Sequence, residues 1–220
     1  MRWQHLHPEL SGFEVGMPDL PNTALVLSKI DNYCEELFPQ ESLELERMAQ
    51  PRQFGFASGR HCAHLGQQLL GLEPLPITRN KREPVWPQQC IGSITHSEVV
   101  AAAVVSTTLN GVGIDIEEAG RVDEKLYRLL FTEAEKQHIS QLGADAATVI
   151  FSAKEAGYKA IYPIGRQFIG FLEAEIQIHP QTQTFSIRYL GEHAPNMQLN
   201  EGKGFWREHN GQVMTLFVLP

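Results

Sequence analysis

The chain has 220 residues, enough for one large domain or two small ones. Its 42% hydrophobic and 20% charged content permits a packed core, and its net charge of −8 argues against non-specific nucleic-acid binding. No apolar run approaches the ~20 residues that span a bilayer, and Met1-Arg2-Trp3-Gln4-His5 lacks the apolar stretch of a signal peptide, so a cytoplasmic protein without membrane insertion is expected.

In chain order, Thr23 to Lys29 reads as a strand. Gln40 to Gln50 and Phe56 to Leu70 read as helices, the second capped by Gly71. Pro74 to Pro87, rich in proline and basic residues, reads as an irregular loop. Cys90 to Thr95 and Ala101 to Thr107 are strand candidates. Asn110-Gly111 is a hairpin signal that would pair the strand ending near Thr108 with Val112 to Glu117. Thr132 and Glu135 form a capping box, predicting a helix to about Leu142. A second helix is expected over Ala146 to Ile161, stopped by Pro163. Ala174 to His179, Phe185 to Leu190, Gly204 to Arg207 and Val213 to Leu219 alternate as strands do, with a hairpin at Asn210-Gly211. The order of elements predicts an α+β fold, with two similar halves meeting near Leu109 to Gly113.

Three cysteines, Cys34, Cys62 and Cys90, lie far apart without a C-x-x-C pair, which fits reduced thiols and no zinc site. An anionic ligand would need a local concentration of basic residues. Arg52, Arg60, Arg79, Lys81 and Arg82 are the candidates.

Two stretches carry chemistry. In Gly111-Val112-Gly113-Ile114-Asp115-Ile116-Glu117, Asp115 and Glu117 share one face of a strand. In Phe151-Ser152-Ala153-Lys154-Glu155-Ala156-Gly157-Tyr158-Lys159, Glu155 and Lys159 share one face of a helix. Three carboxylates and a lysine, if assembled, suit a hard cation and a phosphate ester. Each pair alone also fits a plainer reading, a solvated acidic strand face or an exposed ion pair. Thr95-His96 at a strand end offers phosphate contacts, or a histidine that is simply structural. No P-loop, G-x-G-x-x-G after a strand, or G-x-S-x-G elbow is present.

Taken in order, Pro84-Val85-Trp86-Pro87, Gly92-Ser93-Ile94-Thr95-His96-Ser97, Gly113-Ile114-Asp115-Ile116-Glu117, Phe131-Thr132-Glu133-Ala134-Glu135 and Phe151-Ser152-Ala153-Lys154-Glu155 with Tyr158-Lys159-Ala160 resemble the 4'-phosphopantetheinyl transferases. The likeness is to the long, monomeric surfactin-type class, and within it to the enterobactin-synthase component. It spans about Arg52 to Phe171. The resemblance implies a pseudo-twofold pair of α/β subdomains, 1–109 binding coenzyme A phosphates and 110–220 carrying the metal site and carrier docking, with the active site between them. It implies Mg²⁺-dependent (or Mn²⁺-dependent) transfer of the phosphopantetheine arm of coenzyme A to a serine of an apo acyl or peptidyl carrier protein, releasing adenosine 3',5'-bisphosphate. Siderophore or other secondary metabolism is one setting.

By motif, Asp115, Glu117 and Glu155 would hold the metal, Glu155 would take the serine proton, and Lys159 would neutralise the leaving phosphate. Arg52, Arg60, Arg82, Thr95 and His96 would hold coenzyme A. As a hypothesis, the carrier surface is placed within Arg121 to Phe131, where Lys125 and Arg128 would meet acidic carrier helices and Leu126, Leu129 and Leu130 supply apolar contact; the plainer reading is that these leucines are core. The chain departs from the pattern at Ala156, where the family usually has serine, at Gly157, and at Glu98. Those departures motivate an alternative, a catalytically impaired module that binds coenzyme A or carrier protein. A metal-dependent phosphohydrolase is a third reading.

Overall fold

The computed structural model describes residues 1–81, 83–143 and 145–220, and the side chain of Arg47 is also left out. Arg82, one of the basic residues singled out above, lies outside the described residues. The chain is α+β and divides into two compact units, Met1–Leu109 and Asn110–Pro220.

The first unit holds β1 (Arg2–His5) and β2 (Thr23–Lys29), then a short helix α1 (Pro39–Ser42) and a long one, α2 (Gln50–Leu69). A ribbon of β3 (Thr78–Asn80) and β4 (Glu83–Val85) follows, then β5 (Ile91–His96) and β6 (Val100–Ser106). The sheet runs β1-β2-β6-β5 with α2 packed on it. Small residues on α2 set that packing. A Cβ on Gly55 would meet the His96 ring at 2.9 Å, and one on Gly59 would meet Ile94 at 2.6 Å.

Two readings of this unit change. The helix expected over Gln40 to Gln50 is interrupted: α1 ends at Ser42, one 3₁₀ turn covers Leu45–Arg47, and Met48 and Ala49 are extended. Pro51 explains the restart, because its missing N–H and its ring are tolerated only in a first helical turn. The expected loop Pro74 to Pro87 contains the β3–β4 ribbon, in which Pro84 sits opposite Arg79. A two-stranded ribbon has a free edge, and there a proline is allowed.

The second unit contains β7 (Gly111–Glu118), α3 (Tyr127–Leu130), α4 (Glu133–Leu142) and α5 (Asp145–Gly165). It continues with β8 (Ala174–His179), β9 (Thr184–Tyr189), β10 (Lys203–His209) and β11 (Gln212–Leu219). Its sheet runs β7-β11-β10-β9-β8, and α5 lies across β7 and β11. The turn at Asn210-Gly211 joins β10 to β11 with both residues at positive φ, 50° and 71°.

The expected hairpin at Asn110-Gly111 is not formed. β7 pairs along its whole length with β11, while β6 pairs with β2 and β5. Gly111 serves close packing instead, since a Cβ there would lie 2.7 Å from the Ala160 carbonyl. Pro163 does not stop α5 at Ile161; the helix runs to Gly165 with the proline in its last turns.

One arrangement occurs once in each unit. Glu41, fully buried at the third position of α1, reaches back to the Phe38 amide at 3.1 Å and accepts from the Ile77 amide at 2.7 Å. Its basic partner on the long helix is His64, at 3.0 Å. Glu135, at the same position of α4, accepts from the amides of Thr132 at 2.8 Å and Ile176 at 2.7 Å. Its partner on the long helix is Lys154, also at 2.7 Å. Each buried carboxylate thus ties a helix start, a long helix and a later segment together.

Burial alone would push the Glu41 carboxyl up, but the hydrogen bonds from His64, Ile77 and Phe38 outweigh it and hold it below its ordinary value. A depressed carboxyl contributes stability that is complete above its ordinary pKa of about 4.3 and is lost as pH falls through the folded-state value. The urea midpoint is therefore expected to fall on acidification below about pH 4.3, with part of that acid limb removed in Glu41→Gln. An acid limb identical in the variant would exclude Glu41 as its source.

Candidate active site

Alternation along β7 places Gly111, Gly113, Asp115 and Glu117 on one face. Helix α5 covers that face closely. A Cβ on Gly113 would lie 1.9 Å from the Ala156 carbonyl oxygen, so only glycine admits this approach. The approach brings Ser152, Glu155 and Lys159, spaced three and four apart on α5, to the carboxylates of β7.

Asp115 is 4% exposed and held on both oxygens. Lys159 Nζ donates to its Oδ1 at 2.7 Å and to the Ile114 carbonyl at 3.0 Å. Ser152 Oγ donates to its Oδ2 at 2.9 Å. Thr215, the cross-strand neighbour of Asp115 on β11, lies 2.8 Å from the Ser152 hydroxyl and donates to the Ser152 carbonyl at 2.9 Å. Arg121 Nε stands 3.2 Å from Glu117. A solvated acidic strand face is therefore not what these residues form.

The acids repel one another. Burial, then the nearby Asp115, push the Glu117 carboxyl up to about 7, against the pull of Arg121 and Lys159. Burial and Asp115 also raise Glu155, with Lys159 opposing. Among the described residues no three His, Cys, Asp or Glu side chains form a ready cage for a metal. The donor chemistry nevertheless fits Mg²⁺. That ion takes oxygen ligands, commonly one or two carboxylates, and completes its shell with water and substrate phosphate. A cation would also offset the repulsion from Asp115 that adds to burial in raising Glu117 and Glu155.

In the first unit, Met48, Arg52, Gly55, Phe56, Arg60, Arg79, Pro84, Ile94 and His96 line a cavity of about 160 Å³. Three guanidinium groups and an imidazole thus concentrate in a chain of net charge −8. Arg60 is 5% exposed, lies 4.5 Å over the Phe56 ring and donates through Nε to the Ile77 carbonyl at 2.9 Å. Burial draws its pKa down to about 10, with Arg79 adding to the effect and Glu41 opposing it. Such a site favours an incoming anion. Of the residues expected to hold coenzyme A, Arg52, Arg60 and His96 come together here. Thr95 does not: alternation turns it to the opposite face of β5, where it is buried.

Over residues 40–106 the sequence matches the 4'-phosphopantetheinyl transferase N-terminal domain, and over 111–216 the 4'-phosphopantetheinyl transferase superfamily. It is 32% identical over 199 residues to 4'-phosphopantetheinyl transferase Svp of Streptomyces mobaraensis, covering 86% of this chain and 81% of that one. It is 30% identical to 4'-phosphopantetheinyl transferase PptT of Mycobacterium tuberculosis, covering 82% and 85%. The chain belongs to the 4'-phosphopantetheinyl transferase superfamily. Enterobactin synthase component D of Escherichia coli is a further relative, 30% identical over 72% of this transferase and 82% of that protein.

Two of the transferase's departures from the family pattern lie at packed positions, while Glu98 is exposed. Ala156 is fully buried against β7, and a Cβ on Gly157 would lie 2.3 Å from the Ile187 side chain. A side chain on Gly157 would require the Ile187 side chain to move.

Sequence reasoning missed Ser152, Thr215 and Phe56, and left Arg79 among general basic candidates. Ser152 was within reach, because its spacing to Glu155 and Lys159 is helical. Thr215 was not, since nothing local pairs β11 with β7. Removing the Ser152 hydroxyl takes a hydrogen-bond donor from a buried carboxylate oxygen. Ser152→Ala should therefore cost about 1.5–3 kcal/mol in urea unfolding. A loss below about 0.5 kcal/mol would mean the bond is replaced by water.

Proposed function

We propose that this transferase moves the 4'-phosphopantetheine arm of coenzyme A to a serine hydroxyl of an apo acyl or peptidyl carrier protein, releasing adenosine 3',5'-bisphosphate. The observation that carries the reading is the convergence of Glu155 and Lys159 of α5 on Asp115 and Glu117 of β7. Asp115, Glu117 and Glu155 are the residues that would hold Mg²⁺. When bound, the ion supplies neutralisation of the pyrophosphate charge.

The chain's own residues divide the remaining work. Glu155, raised by burial and by Asp115, is a carboxylate of increased basicity suited to taking the serine proton. The serine oxygen attacks the β-phosphate as the bond to the α-phosphate side breaks. Lys159 stabilises the charge on the departing 3',5'-bisphosphate. Ser152 and Thr215 keep Asp115 in place while this charge moves. Arg52, Arg60, Arg79 and His96 bind coenzyme A phosphates, which adds Arg79 to the expected set. Positioning and charge stabilisation are the main sources of rate in such transfers.

The carrier surface is assigned to the segment after β7. Leu126 and Leu129 are 45% and 59% exposed, flanked by Lys125 and Arg128. Leu130 is half-buried and packs against the core.

Intact-mass measurement of an apo carrier protein with coenzyme A and Mg²⁺ should show the gain of one phosphopantetheinyl group. The gain should disappear with EDTA and in Glu155→Ala. No gain with several carriers despite coenzyme A binding would favour a binding module. Adenosine bisphosphate formed without carrier would favour a phosphohydrolase. Charge reversal at Lys125 and Arg128 should weaken carrier binding and spare coenzyme A binding; equal loss of both would remove the docking assignment.

A further inference from the structure

Lys154 precedes Glu155 on α5 and takes no part in the chemistry above. It is 5% exposed. Its ammonium donates to Glu135 Oε2 at 2.7 Å, to the Leu130 carbonyl at 2.9 Å and to the Phe171 carbonyl at 2.5 Å. An ammonium has three N–H donors, and three protein acceptors take them. None remains for a substrate phosphate.

The acceptors share a purpose. Leu130 is the last residue of α3, which itself carries exposed Leu129 and is preceded by exposed Leu126. Phe171 opens the 3₁₀ turn Phe171–Glu173, which contacts α3 and exposes Leu172 to 48%. Glu135 fixes the chain just beyond each of these segments through the amides of Thr132 and Ile176. A single buried ion pair therefore pins two segments bearing exposed leucines. The lysine in that pair is adjacent in sequence to the carboxylate assigned to the serine proton.

We propose that Lys154 is a positioning residue. It holds a carrier-docking platform of Leu126, Leu129 and Leu172 in fixed relation to Glu155 and does not bind coenzyme A. The inference rests on the transferase reading above and extends its docking surface to Leu172. Consecutive residues of one helix point about 100° apart, so α5 serves the platform with one side chain and the chemistry with the next.

The test is steady-state kinetics with coenzyme A and apo carrier protein varied separately, for the wild type, Lys154→Gln, Leu129→Asp and the double variant. Lys154→Gln should raise KM for the carrier about tenfold and leave KM for coenzyme A within about twofold. The double variant should be no worse than the weaker single one, because both changes act on one platform. A matching rise in KM for coenzyme A would make Lys154 a phosphate ligand and overturn the proposal. A fall in kcat with both KM values unchanged would reduce it to a folding residue and also overturn it. Should Lys154→Gln not fold, Glu135→Gln weakens the same ion pair with little change of shape and must give the same split; its absence overturns the proposal. A wild type that transfers nothing removes the transferase reading and this inference with it. An active wild type without the split removes this inference alone.

Discussion

The close seat of α5 on β7 is the constraint on which the second unit depends. Gly113 contributes no side chain, so the Ala156 carbonyl can occupy the space where a Cβ would be. At that separation the short side chain of Ser152 reaches Asp115, and Lys159 spans to the same carboxylate. A side chain on Gly113 would clash with the Ala156 carbonyl and hold the helix away from the serine's carboxylate partner. Glycine here acts by allowing approach, with no special backbone angle required. Ala156 and Gly157 extend the same logic along the helix, which accounts for small residues in a stretch otherwise suited to larger ones.

Much of the site was legible because its partners lie on regular elements with known periods. Two-residue spacing put Asp115 and Glu117 on one face, and four-residue spacing did the same for Glu155 and Lys159. The capping box at Thr132 and Glu135 was equally plain, being a purely local pattern. What stayed hidden was set by non-local pairing. Asn110-Gly111 carries a turn signature, yet strand β11, a hundred residues further on, claims β7 as its neighbour. The register of that pairing brings Thr215 to Asp115. The second role of Glu135, as acceptor for Lys154, likewise needs the fold before it can be seen. Thr95 lies on the face of β5 opposite His96, because neighbours on a strand point to opposite sides.

The two buried glutamates expose a repeat that the sequence conceals. Their neighbours differ: Phe38-Pro39-Gln40 stands before one and Thr132-Glu133-Ala134 before the other. The bonding pattern is nonetheless shared, down to the isoleucine amide that each accepts. What persists is the need to satisfy a helix start, a buried carboxylate and a later segment at once. Changing one member of such a knot leaves the others without their partner.

The basic cavity of the first unit has a consequence for behaviour in salt. Its guanidinium groups sit within a protein whose remaining charge repels anions at long range. Mobile ions screen that distant repulsion efficiently, because it acts across more than about 8 Å of solvent at physiological ionic strength. They screen a desolvated group such as Arg60 far less. Raising ionic strength thus takes more from the barrier to encounter than from the attraction at the end of it. An anion taken up by this cavity would accordingly be selected by short-range fit, with the long-range field working against it.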